Sequence, residues 1–333
     1  MKRSNYLDFL KGFAIICVVL GHCWLTPKDV IWLIYRFHMP LFFGISGYLM
    51  WGKMDCSFKE FTKRKAKQLL VPYVLFFLFS WIFSLAFLEN KCSLQEAVQA
   101  LFFSGKYLWA VNNWALWYLP AFFVALLVLY AMCKIKEKKI FVAMVVLVLG
   151  ISPLVQKILY RQFSDGYIPW SIQTIFPAVG CLGVGCVMKI FNYQGKLNQR
   201  EGLNNILSIL AGCLGILLAV GNQEQMLHFE SYRYLLAAFF LILFLIWISQ
   251  QNENKIICYL GKNSLYIYGT HRVFLFYFQQ RDVESWLKTY GITGLAASLL
   301  VSCVVIGITL MLGKGANYCY EKIREKCGKV GLY

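Results

Sequence analysis

Residues 10–24 read LKGFAIICVVLGHCW, an apolar run of membrane length with a lysine, Lys11, at its start and a histidine, His22, near its end. Lipid penalises both groups, so whether this segment lies in lipid decides the fold. The chain has 333 residues, of which 59% are hydrophobic and only 15% charged, with a mean hydropathy of +0.58. Ordinary globular domains carry about 25% charge. Runs of roughly 18 or more mostly apolar residues recur along the chain, each able to cross a hydrocarbon core of about 30 Å. The composition therefore describes a multi-pass membrane protein.

Working outward, the pattern predicts spans near 9–25, 30–51, 69–88, 113–133, 139–160, 170–190, 204–221, 232–249, 256–279 and 292–312. Loop charge orients them. With the N-terminus inside, the outer loops hold only Lys28, Lys91, Lys106, Arg161, Arg281 and Lys288. Lys2, Arg3, Lys53, Lys59, Lys63–Lys67, the lysines at 134–139, Lys189, Lys196, Arg200 and Lys255 fall inside, as the positive-inside rule requires. The expected class is all-α, a polytopic integral membrane bundle of about ten transmembrane helices with both termini cytoplasmic. Residues 1–312 form the membrane domain and 313–333 a basic cytoplasmic tail.

The net charge of +17 then belongs to the cytoplasmic face, so a nucleic-acid role is not expected. Asp8 and Lys11 precede the first apolar run, and no small-x-small cleavage site follows it, so a retained helix is expected rather than a signal peptide. Most of the twelve cysteines fall inside spans and read as small hydrophobes, while Cys56, Cys319 and Cys327 face a reducing compartment. No CxxC or Cys/His spacing predicts a disulfide or a metal.

The outer loop carries SLQEAVQALFF, where Ser93 and Glu96 form a capping-box pattern. Leu94, Ala97, Val98, Leu101 and Phe102 share a face that suits a short helix on the membrane surface. Trp109, Trp114, Trp117 and Tyr118 follow and read first as an interfacial aromatic belt. HMPLFFGISGY places Pro40, Gly44, Ser46 and Gly47 within eight positions. Close packing through small residues and a broken helix lining a polar cavity are both open for that segment.

Eleven positions at 3.6 per turn is about 20° past three full turns, so Lys11 and His22 share a face about 16 Å apart along the axis. A lysine near an interface can snorkel; His22 cannot, and buried ionisable groups of this kind mark pathways or reaction sites. His38 and His271 fall in other spans at a similar outer depth. A lone histidine usually satisfies packing, but three at one level suit acid–base chemistry.

YLDFLKGFAIICVVLGH, FHMPLFFGISGYL, KAKQLLVPY, LWYLPAFF and YLGKNSLYIYGTH, in this order from residue 4 to about 312, resemble the membrane acyltransferase 3 family. The resemblance implies an O-acyltransferase that takes an acyl group, acetyl by preference, from cytoplasmic acyl-coenzyme A as co-substrate. No permanently bound cofactor is implied. The acceptor would be a hydroxyl of a cell-surface or exported carbohydrate, and the setting a bacterial inner membrane. The basic residue, ten intervening positions and histidine of that family are here Lys11 and His22. They would hold the donor's phosphate and act as general base, with a transient acyl-histidine as the other route. His38 and His271 would orient the acceptor or shuttle protons. Ser46, or a freed amide near Gly44 and Gly47, would stabilise an oxyanion. Lys63, Arg64, Lys65 and Lys67 would add phosphate contacts, although as a topogenic cytoplasmic loop they need no such role. Relatives that carry an appended esterase-like or racemase domain differ from this sequence, where only the basic tail follows.

The rival reading is a transporter or flippase of a surface-glycan precursor, since interrupted helices and midplane polar groups suit transport too. Against it, the two halves show no repeat and no acidic residue sits deep in a span. A non-catalytic sensor on the same scaffold is the third reading.

Overall fold

A computed structural model describes residues 5–89, 91–135, 137–163, 168–191, 201–220, 231–252 and 254–329, with the side chains of 160, 201, 319, 320 and 323–329 left aside. The described residues are helical and contain no strand. The helices are α1 (Asn5–His22), α2 (Lys28–Met50), α3 (Phe58–Phe87), α4 (Leu94–Phe103), α5 (Tyr118–Cys133), α6 (Lys138–Gln162) and α7 (Ile175–Ile190). They continue as α8 (Glu201–Ala219), α9 (Tyr232–Gln251), α10 (Lys255–Lys262), α11 (Ser264–Gln280), α12 (Val283–Thr289) and α13 (Gly294–Lys329). Lys2, Arg3, Lys136, Lys196 and Arg200, used above to orient the chain, lie outside the described residues.

Among the described residues nine helices are long and apolar enough to cross a membrane. The span expected at 256–279 is the exception, because it breaks at Asn263 into α10 and α11. The Asn263 side-chain amide donates to Tyr259 O (2.9 Å), closing α10 with a polar group that a continuous helix would not need. α13 also runs past the expected end near 312, through to Lys329. Outward faces are apolar: Leu75 of α3 is 60% exposed and Leu217 of α8 is 69% exposed. Such surface suits hydrocarbon and not water. Inside, Pro153 removes an amide from the α6 ladder, and the Ser152 hydroxyl donates to the carbonyl thus freed, Leu149 O, at 3.0 Å.

Two glycine contacts fix the bundle around α1 and α2. A Cβ on Gly12 of α1 would overlap the carbonyl of Ile257, and one on Gly261 of α10 would overlap the carbonyl of Asp8, so these helices meet backbone to backbone. Likewise Gly47 of α2 abuts the Leu182 carbonyl, and Gly185 of α7 abuts the Gly44 carbonyl. This decides between the two readings of HMPLFFGISGY. α2 is helical throughout Lys28–Met50, with Pro40 inside it, and its glycines serve close packing. The Gly44 and Gly47 amides are therefore not freed for an oxyanion.

The capping box on α4 is present: Glu96 N–H donates to Ser93 Oγ while Glu96 Oε2 accepts from Ser93 N–H at 2.8 Å. Those Ser93 donors hold the Glu96 carboxyl below its ordinary range. The large apolar side chains of α4 point outward, as on a helix lying on a membrane surface. Ala97 and Ala100 are buried, whereas Leu94 and Phe102 are 66% and 67% exposed. The reason is Tyr73 of α3, whose hydroxyl donates to Leu101 O (2.9 Å) and turns the small residues inward.

Candidate active site

α1 ends at His22, and the last three carbonyls orphaned at its end each accept a side-chain donor. Leu20 O accepts from Thr26 Oγ1 (2.7 Å), Gly21 O from Tyr35 Oη (2.9 Å) and His22 O from Arg272 Nη1 (3.1 Å). His22 thus stands on a helix end pinned from α2 and α11. The break at Asn263 matters here: α10 lies along the early part of α1, and α11 then carries His271 and Arg272 to the far end of α1.

There His22 Nδ1 lies 2.8 Å from His271 Nε2, with the rings stacked at 5.1 Å between centroids. His271 Nδ1 faces two backbone carbonyls, Tyr268 O at 2.8 Å and Ile267 O at 3.0 Å. Carbonyls only accept, so that nitrogen carries the hydrogen and His271 Nε2 is the bare acceptor. His22 Nδ1–H then donates to it, which leaves His22 Nε2 with a free lone pair. His38 reaches the same state separately, because its Nδ1 donates to Ile34 O (2.9 Å). Tyr35 stands between the two, its ring centroid 6.2 Å from His22 and 5.2 Å from His38.

Lys11, His22, His38 and Ser46 line one cavity of about 370 Å³, together with Tyr35, Trp114, Trp117, Tyr118, Tyr234 and Tyr268. Lys11 at one end and His22 at the other confirm the shared face that the spacing requires. His271 is fully buried and not part of the wall, so it acts on His22 from behind. Ser46 is in the wall, but its hydroxyl donates to Phe42 O (2.8 Å), a bond it must leave before it can serve an oxyanion.

The basic cluster divides. Lys63, Arg64 and Lys67 are exposed and away from the cavity. Lys65 is buried, with Nζ 3.1 Å from Gln68 Oε1, one turn from the wall residue Leu69. The aromatic belt divides as well: Trp109 is 56% exposed, whereas Trp114, Trp117 and Tyr118 form cavity wall. Trp114 also carries the Arg272 guanidinium at 3.4 Å from its ring centre.

Reading histidines and loop cations alone missed Arg36 and Arg272, the two arginines buried inside spans. An ionisable residue within an apolar run was the available signal. Asn113 was missed too. Its fully buried side-chain amide donates to Ser80 Oγ (2.8 Å) and Gly269 O (2.9 Å), tying the Trp114 segment to α3 and α11.

A family model described as an acyltransferase domain, acyltransferase 3, matches residues 4–313. The chain belongs to the acyltransferase 3 family. With nine helices among its described residues long and apolar enough to cross a membrane, it is an integral membrane protein. It is similar to nodulation protein NolL of Mesorhizobium japonicum, 31% identical over 185 residues, which is 50% of this chain and 48% of that protein. NolL of Sinorhizobium fredii is 43% identical over 84 residues, 21% of this chain and 22% of the relative. An amino-acid racemase of Enterococcus faecalis is 29% identical over 132 residues, 36% of this chain and 18% of that protein. The chain spans about half or less of the length of these curated relatives. No solved structure matches.

Proposed function

We propose that the protein is an O-acyltransferase that moves an acyl group, acetyl by preference, from cytoplasmic acyl-coenzyme A to a hydroxyl of an exported carbohydrate, in a bacterial inner membrane. The observation that carries this reading is one cavity with a cation, Lys11, at one end and a base, His22 Nε2, at the other. Lys11 holds a donor phosphate at the cytoplasmic end, as a point charge and not a bidentate clamp. The thioester arm lies along the cavity toward His22.

His22 Nε2 takes the acceptor hydroxyl proton while the oxygen attacks the thioester carbonyl. The tetrahedral intermediate collapses, the C–S bond breaks, and the departing thiolate takes the proton from His22. The products are an ester and coenzyme A thiol, with His22 again neutral. His271 fixes the His22 tautomer throughout, and His38, with its own bare Nε2, binds the acceptor hydroxyls as a hydrogen-bond acceptor. The family membership and the likeness to NolL agree with acyl transfer.

The test is release of free thiol from acetyl-coenzyme A by the purified protein with a crude surface-glycan acceptor. His22→Ala should abolish release. Lys11→Ala should raise KM for the donor severalfold and leave kcat nearly unchanged. A wild-type protein that neither binds acetyl-coenzyme A nor releases thiol would overturn the reading.

A further inference from the structure

The proposed reaction leaves two buried cations unused, Arg36 of α2 and Arg272 of α11, which are 3% and 6% exposed. Neither is part of the wall of the His22 cavity, but each lies against a residue that is. The Arg272 guanidinium sits 3.4 Å from the ring centre of Trp114 while Nη1 donates to His22 O. That of Arg36 sits 5.5 Å from the ring centre of Tyr234. The Tyr234 hydroxyl in turn donates to Tyr35 O (2.9 Å), and Tyr35 Oη donates to Gly21 O, beside the carbonyl that Arg272 holds. The two charges therefore back the His22 end of the cavity from α2 and from α11.

No carboxylate offsets them. The Nε of each arginine has no hydrogen-bond partner, and among the described residues neither arginine forms an ion pair. The cavity wall holds no acidic residue, and α9 and α11 contain none. On α1 the one acidic residue is Asp8, fourteen positions before His22 and so about 21 Å away in helix rise. On α2 it is Asp29, exposed and about two turns before Arg36. Arg233, near the start of α9, adds a further positive charge near Arg36.

A guanidinium keeps its charge when buried, and charges of one sign behind low-dielectric walls focus their field into the cleft. The donor does not bring the balancing anion to this end. Its phosphates belong at Lys11, and the arm that runs from them to the thioester is uncharged. The acceptor is the remaining source. We propose that the acceptor is an anionic carbohydrate, one that carries a carboxylate or phosphate close to the hydroxyl that His22 deprotonates. The aromatic wall meets the sugar, and the two arginines behind it select the charge. Calling this ligand the acceptor rests on the acyl-transfer reading; the charge preference is measured without acyl-coenzyme A, so either idea can fail alone.

The experiment is titration calorimetry of the full chain in detergent with glucose, glucuronate and glucose 6-phosphate, which share one ring and differ at one substituent. At least one anionic sugar should bind the wild type tenfold or more tightly than glucose, and which one does so separates carboxylate from phosphate. Arg36→Met should remove most of that ratio, whereas Arg36→Lys keeps the charge and should keep most of it. Arg272→Met reads the same ratio from the other cation if Arg36→Met does not fold. Arg281→Met removes an exposed arginine at the far end of α11 and should leave the ratio unchanged. Equal binding of the three sugars by the wild type would overturn the proposal. So would a ratio that survives in the folded methionine variants at 36 and 272, or one that Arg281→Met removes as fully.

Discussion

A histidine becomes a directed base only when one nitrogen is committed, and here that commitment passes from backbone to His271 to His22. The arrangement predicts a graded response at position 271. Glutamine keeps a carbonyl oxygen that can accept from His22 Nδ1–H, whereas leucine keeps only the volume. His271→Leu should lower kcat by about 10²-fold, at the low end of what a positioned base contributes. His271→Gln should retain several times more activity than the leucine variant, with the donor KM unchanged in both. Steady-state thiol release decides it. Equal activity in the leucine and glutamine variants would mean that bulk, and not the hydrogen bond, is what position 271 supplies. Of these residue-scale facts, the shared face of Lys11 and His22 was legible, because helix pitch alone sets it. The His22–His271 bond was not: the partners are 249 positions apart, and nothing local encodes their meeting. Arg36 and Arg272 were visible as charges within spans but went unread, and the rings of Trp114 and Trp117 read first as interfacial anchors.

At the scale of helices, hydropathy made the nine long apolar helices of the described residues legible because length and apolarity are local quantities. What it could not show is that the tenth run is interrupted, because one asparagine, Asn263, breaks a helix whose average stays apolar. That break is what allows α10 to lie on α1 through Gly12 and Gly261 while α11 delivers His271 to the other end. Valine at Gly12 must therefore push α10 away from α1, at a cost of about 1–3 kcal/mol or more for overpacking. Gly12→Val should lower the melting temperature in detergent and reduce activity together, since Lys11 adjoins the contact and the shifted α10 leads into α11, which carries His271. Gly307→Ala is the matched control, because a Cβ there meets nothing within 4 Å and a helical alanine is favoured over glycine by roughly 0.5–1 kcal/mol. A Gly12→Val protein with wild-type melting would show that the two helices do not need the contact. The small residues of α2 follow the same logic: sequence left Gly44 and Gly47 open between packing and a broken helix, and only the position of α7 could decide.

For the whole molecule, the decisive property is that one cavity presents Lys11 and His22 at opposite ends, about 16 Å apart along α1. If Lys11 meets the donor and His22 the acceptor, the reaction must have sides. Proteoliposomes holding the protein in one orientation test this directly, with the orientation assigned by labelling an introduced cysteine in the loop before α3. Acetyl-coenzyme A supplied only on the Lys11 side, with glycan acceptor only on the His22 side, should give thiol on the first side and ester on the second. Exchanging the compartments should give neither, because a phosphate-bearing donor at the His22 end would meet no Lys11 and a large glycan could not enter past it. Lys11→Ala should keep this sidedness while demanding more donor, since the cation sets affinity and the cavity sets direction. Transfer that requires donor and acceptor in the same compartment would remove the two-ended reading while leaving the His22 chemistry intact. The two results separate what the helix spacing contributes from what the histidine pair contributes.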